Sequence, residues 1–201
     1  MPSPGAVLPV IDRLEEFIDS EGPFDGILGF SQGAALAASY LLRDASRQHT
    51  RNDFKCAVFF CAIQSWDLDS PGFTLAQDGK CRPIGEPLDS QKVIFSASDI
   101  TSVFGAANHP LLRENWNSST PLLWPVGMAP MRSEPLACMD IPTLHVIGAK
   151  DAYRSDSAAL PTFCKSGRSH VVETSGGHEI PRDLPFVRKV AQFLQTATSI
   201  E

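Results

Sequence analysis

Three residues able to move an acyl group stand far apart in this chain: Ser31, Asp151 and His178. Ser31 is the centre of Gly29-Phe30-Ser31-Gln32-Gly33, a G-x-S-x-G pattern. A serine hydroxyl is a poor nucleophile at neutral pH. It needs a base within hydrogen-bond reach and a group that orients that base. A histidine and a carboxylate meet those needs, and the order Ser, Asp, His is the one found where a serine sits on a sharp strand-to-helix turn of an open α/β sheet. The chemistry of such a set is attack on a carbonyl carbon. The pattern alone arises by chance in roughly one chain of this size in twenty, given the usual abundance of glycine, so its context has to decide.

That context is favourable. Phe24–Phe30 reads as an apolar strand and residues 33–46 as an alanine-rich helix. A serine on the turn between them adopts a strained backbone, and side chains at Gly29 and Gly33 are expected to obstruct the close passage of strand and helix. The turn leaves the Gln32 N–H at the helix start, where it can face a developing oxyanion. Asp151 follows an apolar strand at 142–148, and His178 follows one at about 168–174 through Gly176-Gly177. Both therefore fall at the C-terminal edge of the sheet, where ligands bind in such folds. The bland alternatives are a solvated turn hydroxyl for Ser31, a turn or helix-capping carboxylate for Asp151 and a partnerless loop imidazole for His178.

The other candidates fit less well. His145 lies inside a strand and His170 early in one, while His49 and His109 have no strand end to position them. Asp140 precedes its strand and falls on the wrong edge, and Glu173 and Glu179 lie too close to His178 in sequence.

The positioning elements alternate between strand and helix. A helix with Pro9 in its first turn runs through Val10, Ile11, Leu14, Phe17 and Ile18 to a stop at Gly22-Pro23. Lys55–Ile63 is a continuous apolar run suited to a strand buried on both faces. A short helix is expected around 155–165. A closing helix over 184–197 places Phe186, Val187, Val190, Phe193 and Leu194 on one face. The implied architecture is a mostly parallel sheet flanked by helices, one domain over 1–201. The regular pattern breaks between 64 and 140, a stretch rich in Pro, Gly, Ser and Asp with scattered Trp66, Phe73, Phe104, Trp116 and Trp124. It reads as a long insertion that supplies a lid or acyl pocket.

Composition agrees with a globular chain: 43% hydrophobic, 20% charged and a net charge of −6 over 201 residues. No basic cluster invites nucleic acid, and no segment suits a membrane span or a secretory leader. The five cysteines, at 56, 61, 81, 138 and 164, are odd in number and lack a C-x-x-C, which suggests free thiols in a reducing, cytoplasmic compartment. Cys56 and Cys61, five apart in a strand-like run, are expected to face opposite ways. No sequence spacing marks a metal site, and no cofactor is called for. Glycines 26, 29 and 33 do not form the G-x-G-x-x-G of a dinucleotide site.

The chain resembles the fungal serine hydrolase (FSH) family of small α/β-hydrolases. The resemblance runs through Gly22–Leu36, Phe54–Cys61, Ile141–Gly148 with Asp151, and Gly176–Arg182, nearly the whole chain apart from the insertion. It implies Ser31 as nucleophile, Asp151 as acid and His178 as base, acting on an ester or thioester. It looks most like members associated with fungal polyketide gene clusters, which suggests a polyketide acyl group as substrate and a polyketide synthase carrier domain as partner. The alternatives are a lysophospholipase-like or acyl-protein-thioesterase-like hydrolase, and a binding protein that keeps the triad without a complete oxyanion hole. The family begins with a strand and a His-Gly-type loop that supplies a second oxyanion donor, followed by a further strand. Here Met1 stands just before the helix that normally follows them. The chain is therefore expected to be N-terminally shortened, a fragment or a reading begun at a downstream Met, with Phe24–Phe30 left as an exposed apolar edge. The competing expectation is a complete chain whose edge is covered by the insertion or by another subunit.

Overall fold

In the computed structural model, the described residues are 4–47, 54–70, 72–75, 81–84, 123–126 and 137–199. They divide into two compact units, one comprising residues 11–66 and 134–201 and the other residues 1–10 and 67–133. The interval expected as an insertion, 64–140, nearly coincides with the larger segment of the second unit. Of that unit, an antiparallel hairpin pairs Phe73–Leu75 with Cys81–Pro83, and the Phe73 side chain is buried. Phe104 and Trp116, expected as pocket walls, lie outside the described residues, as do His49 and His109.

The first unit holds a four-stranded sheet. Its strands are β1 (Gly26–Phe30), β2 (Cys56–Phe60), β3 (Thr143–Gly148) and β4 (Ser169–Thr174), in the order β1-β2-β3-β4. All three pairings are parallel, with Phe30 opposite Phe60, Phe60 opposite Val146, and Val146 opposite Val172. Parallel neighbours need crossovers, and described helices lie between β1 and β2 and between β3 and β4, with a further helix after β4. α2 (Gln32–Ser46) follows β1, the short α3 (Arg154–Ala159) with a 3-10 turn at Leu160–Phe163 follows β3, and α4 (Leu184–Thr198) follows β4. The two central strands are buried along their whole length, as parallel strands covered on both faces are, with Thr143 and His145 the polar residues within β3. On one face Val58, Phe60, Leu144 and Val146 pack with Phe186 of α4, flanked by Val172, Val190, Phe193 and Leu194. Each such side chain removed from water contributes about 1.5–3 kcal/mol.

Several local expectations are corrected. α1 runs from Pro4 to Glu21, so Pro9 lies inside it rather than in its first turn. The missing Pro9 amide costs the bond to the Gly5 carbonyl, one turn from the helix start. Val187 is 48% exposed and flanks the buried face of α4 instead of joining it. β2 ends at Phe60, so Cys61 is not a strand residue facing away from Cys56. It turns out of the strand with φ 46, and both thiols are buried. A side chain at Gly29 would collide with the backbone of Gly33 and Ala34, as expected, but one at Gly33 would meet open space. Strand and helix touch at Gly29, whereas Gly33 already faces outward.

Among the described residues β1 pairs only with β2 and forms a sheet edge, with Leu28 54% exposed. No described helix is long and apolar enough to cross a membrane.

Candidate active site

The parallel ladder continues one step past the strand ends. Ser31 N–H donates to Phe60 O at 2.9 Å, Cys61 N–H to Val146 O at 2.9 Å, and Ala149 N–H to Thr174 O at 2.8 Å. These bonds align the loop after each strand along one edge of the sheet. They bring residues 31, 61, 151 and 178, far apart in sequence, to one place.

Ser31 has φ 53 and ψ −117, a conformation that costs a non-glycine residue of order 1–3 kcal/mol. It is held there by the bond to Phe60 and by Ala35 N–H, which donates to Ser31 O at 3.1 Å. Gln32 is the first residue of α2, and its N–H has no acceptor within the helix. Gly148 N-terminal to the Asp151 turn leaves room for the backbone of Gly176 and Gly177. Asp151 N–H bonds Gly148 O at 3.1 Å, and Lys150 N–H bonds Gly176 O at 2.9 Å. The loop after β4 then makes a tight turn around His178, with Glu179 N–H bonded to Gly177 O at 3.0 Å.

The three sequence candidates meet. His178 Nε2 lies 2.8 Å from Ser31 Oγ, and His178 Nδ1 lies 2.9 Å from Asp151 Oδ2. A carboxylate has no proton to give. Nδ1–H therefore donates to Asp151, and that tautomer leaves Nε2 to accept from the Ser31 hydroxyl. The Asp151 side chain is fully buried, whereas that of His178 stays 31% exposed. Asp151 Oδ1 accepts from Tyr153 N–H at 2.8 Å, which holds the second carboxylate oxygen. The His178 ring is flanked by Phe30, with centroids 5.1 Å apart, and by Tyr153 at 5.3 Å in a T-shaped contact. Phe30 also lines a cleft of about 620 Å³ with Thr174, Gly176, Glu179, Ile180 and Arg182.

Of the rejected candidates, Glu179 lines the cleft beside His178, and the other described ones lie elsewhere. His145 is buried, bonded to Thr143 Oγ1 at 3.0 Å, and desolvation pushes its pKa down to about 4. His170 packs on Phe193. Asp140 pairs with Lys165 at 2.8 Å and Arg168 at 3.6 Å, and Glu173 pairs with Arg154.

Sequence reasoning missed Cys61, Gly148, Phe30 and Tyr153. Cys61 Sγ, an Asp151 oxygen and a His178 nitrogen lie within 4.8 Å of one another, a potential ligand set that no sequence spacing reveals because its members come from three loops. Each is already engaged. Nδ1 and Oδ2 hold each other, and the Cys61 thiol reaches the carbonyls of Gly177 and Glu179. The one available signal for Cys61 was its place directly after β2, equivalent to that of Ser31 after β1.

A parallel sheet with crossover helices and a strained serine turn at its C-terminal edge defines an α/β-hydrolase. The mouse α/β hydrolase domain-containing protein 10 has that fold: its structure covers 97% of this chain and 70% of its own, with a TM-score of 0.50 at 12% identity. The family pattern described as serine hydrolase (FSH1) matches residues 6–190, and the chain belongs to that family. It is 29% identical over 177 residues to the esterase FPY3 of Fusarium mangiferae, covering 88% of this chain and 57% of that protein. It is 30% identical over 210 residues to the serine hydrolase cnsH of Penicillium expansum, covering 93% of this chain and 83% of that one.

Proposed function

We propose that this chain hydrolyses a carboxylic ester or thioester by acyl transfer through Ser31, His178 and Asp151. The observation that carries the reading is the unbroken relay from Ser31 Oγ through His178 to the buried Asp151 carboxylate, with both links under 3 Å. His178 Nε2 takes the hydroxyl proton as Ser31 Oγ attacks the carbonyl carbon. Asp151 fixes the tautomer and stabilises the imidazolium. The tetrahedral oxyanion meets Gln32 N–H. Collapse expels the alcohol or thiol, which takes the proton from His178 and leaves an acyl-enzyme. Water then attacks the acyl carbon, giving its proton to His178, and the Ser31 ester bond breaks as His178 returns that proton to Ser31 Oγ, releasing the acid.

The relatives named esterase and hydrolase support this class. The resemblance to members associated with polyketide clusters narrows the proposed substrate to a polyketide acyl group, with a carrier-bound thioester as the specific case. Residues 64–140 are the proposed lid or acyl pocket. The free thiols of Cys56, Cys61, Cys138 and Cys164 support a cytoplasmic setting.

A fluorophosphonate probe tests the reading. Folded protein should label at Ser31, and Ser31→Ala should abolish the label. Absence of labelling in well-folded protein would sink the proposal. Rates on p-nitrophenyl esters against matched acyl thioesters then separate the two substrate classes.

A further inference from the structure

Cys61 occupies the centre of the three loops that carry the relay, yet the proposed mechanism gives it no task. Its thiol is fully buried. Sγ lies 3.7 Å from the carbonyl oxygen of Gly177 and 3.4 Å from that of Glu179, the two residues on either side of His178. It also lies within 4.8 Å of an Asp151 carboxylate oxygen. The backbone around it is anchored twice more. Its N–H is held by Val146 O, and the next carbonyl, Ala62 O, accepts from the buried Ser157 hydroxyl of α3 at 2.7 Å. One residue thus joins the end of β2 to the histidine loop, to the aspartate and, through Ala62, to the helix after the aspartate.

The carbonyl oxygens of Gly177 and Glu179 suit a protonated sulfur, while backbone hydrogen bonds from Glu179 and Gly148 favour the thiolate and only partly offset the burial. Burial raises the Cys61 pKa and the Asp151 charge raises it further. A buried thiol of this kind is a small, weak donor rather than a reactive group.

We propose that Cys61 is a positioning residue: its thiol clamps the backbone on both sides of His178 and keeps the imidazole between Ser31 and Asp151. The idea rests on the Ser31–His178–Asp151 reading above. Loss of the clamp acts on the chemical step, because a small misplacement of the base is expensive, and leaves substrate binding intact.

The test compares wild type with Cys61→Ala and Cys61→Ser. Fluorophosphonate labelling of wild type comes first, since its failure defeats the relay reading and the clamp with it, whatever the variants do. With labelling present, Cys61→Ala should lower kcat about 10-fold at unchanged KM. In proton spectra it should broaden or lose the downfield His178 Nδ1–H signal, and Cys61→Ser, which keeps a donor, should restore both. An alanine variant with kcat within twofold of wild type and an intact downfield signal would overturn the clamp. So would a serine variant as impaired as the alanine one. If Cys61→Ala does not fold, Ser157→Ala tests the same anchorage from the other side. A roughly threefold loss of kcat with the same broadening supports the clamp, and wild-type kcat with a sharp signal refutes it.

Discussion

Gly148→Ala is the most direct challenge to the way the sheet edge builds this site. A Cβ at position 148 would run into the carbonyl oxygen of Gly177, with Gly177 C at 3.0 Å and Gly176 O at 3.1 Å. All three atoms are backbone, so no rotamer relieves the clash. The loop is also pinned by Lys150 N–H to Gly176 O at 2.9 Å and by Ala149 N–H to Thr174 O at 2.8 Å. Relief requires the histidine loop to retreat by about 1 Å, a misplacement of the size that costs about 10² in rate. His178 Nε2 would leave its 2.8 Å contact with Ser31 Oγ for a separation at which no hydrogen bond forms. We therefore expect kcat to fall about 100-fold, equivalent to about 2.7 kcal/mol, with KM nearly unchanged. Overpacking should cost a further 1–3 kcal/mol or so of stability. The assay is p-nitrophenyl butyrate hydrolysis with fluorophosphonate labelling rates, on protein shown to be folded by circular dichroism. The control is Gly33→Ala, where a Cβ meets open space; it should keep its activity and gain up to about 1 kcal/mol of stability. If folded Gly148→Ala retains kcat within threefold of wild type, or both variants lose activity equally, the steric reasoning is wrong.

Other perturbations probe the remaining parts. Tyr153→Ala keeps the backbone bond to Asp151 but removes the ring against His178, so kcat should fall roughly 2- to 10-fold, the value of an aromatic pair worth about 0.5–1.5 kcal/mol; unchanged steady-state kinetics would remove Tyr153 from the site. Asp151→Asn cannot hold Nδ1 in the same tautomer, and kcat should drop about 10⁴-fold in a protein of near-native stability. His145 carries a pH signature. Its folded pKa is pushed from 6.5 to about 4, so between these values the unfolded chain binds the extra proton and stability rises with pH. The contribution, about 3 kcal/mol, is whole above pH 6.5 and drains away as pH falls through about 4. Urea midpoints measured from pH 7 to 4 should therefore decline more steeply in wild type than in His145→Leu, and equal slopes would contradict the assignment.

The sequence by itself determined the strands of the four-stranded sheet, their flanking helices and their order. Apolar runs marked β1, β2 and β3, helical spacing marked α1 and α4, and the placement of Ser31, Asp151 and His178 just past strand ends singled them out from four other histidines and several carboxylates. Those signals are local, and they survive because burial of an unbroken apolar strand and the punctuation by Gly and Pro are decided within a few residues. The tertiary structure decided what lies between distant loops. Gly33 proved free and Gly148 crowded, although both are glycines beside a strand end, because only three-dimensional approach says which backbone passes within contact distance. Cys61 read as a strand residue facing away from Cys56, until the positive φ after Phe60 turned its thiol toward the carbonyls around His178. Val187 shared the helical spacing of its neighbours but is exposed, outside the cluster that Phe186, Val190, Phe193 and Leu194 form with the sheet. A sequence states which groups are available. The parallel ladder, carried one hydrogen bond past each strand end, sets which of them touch.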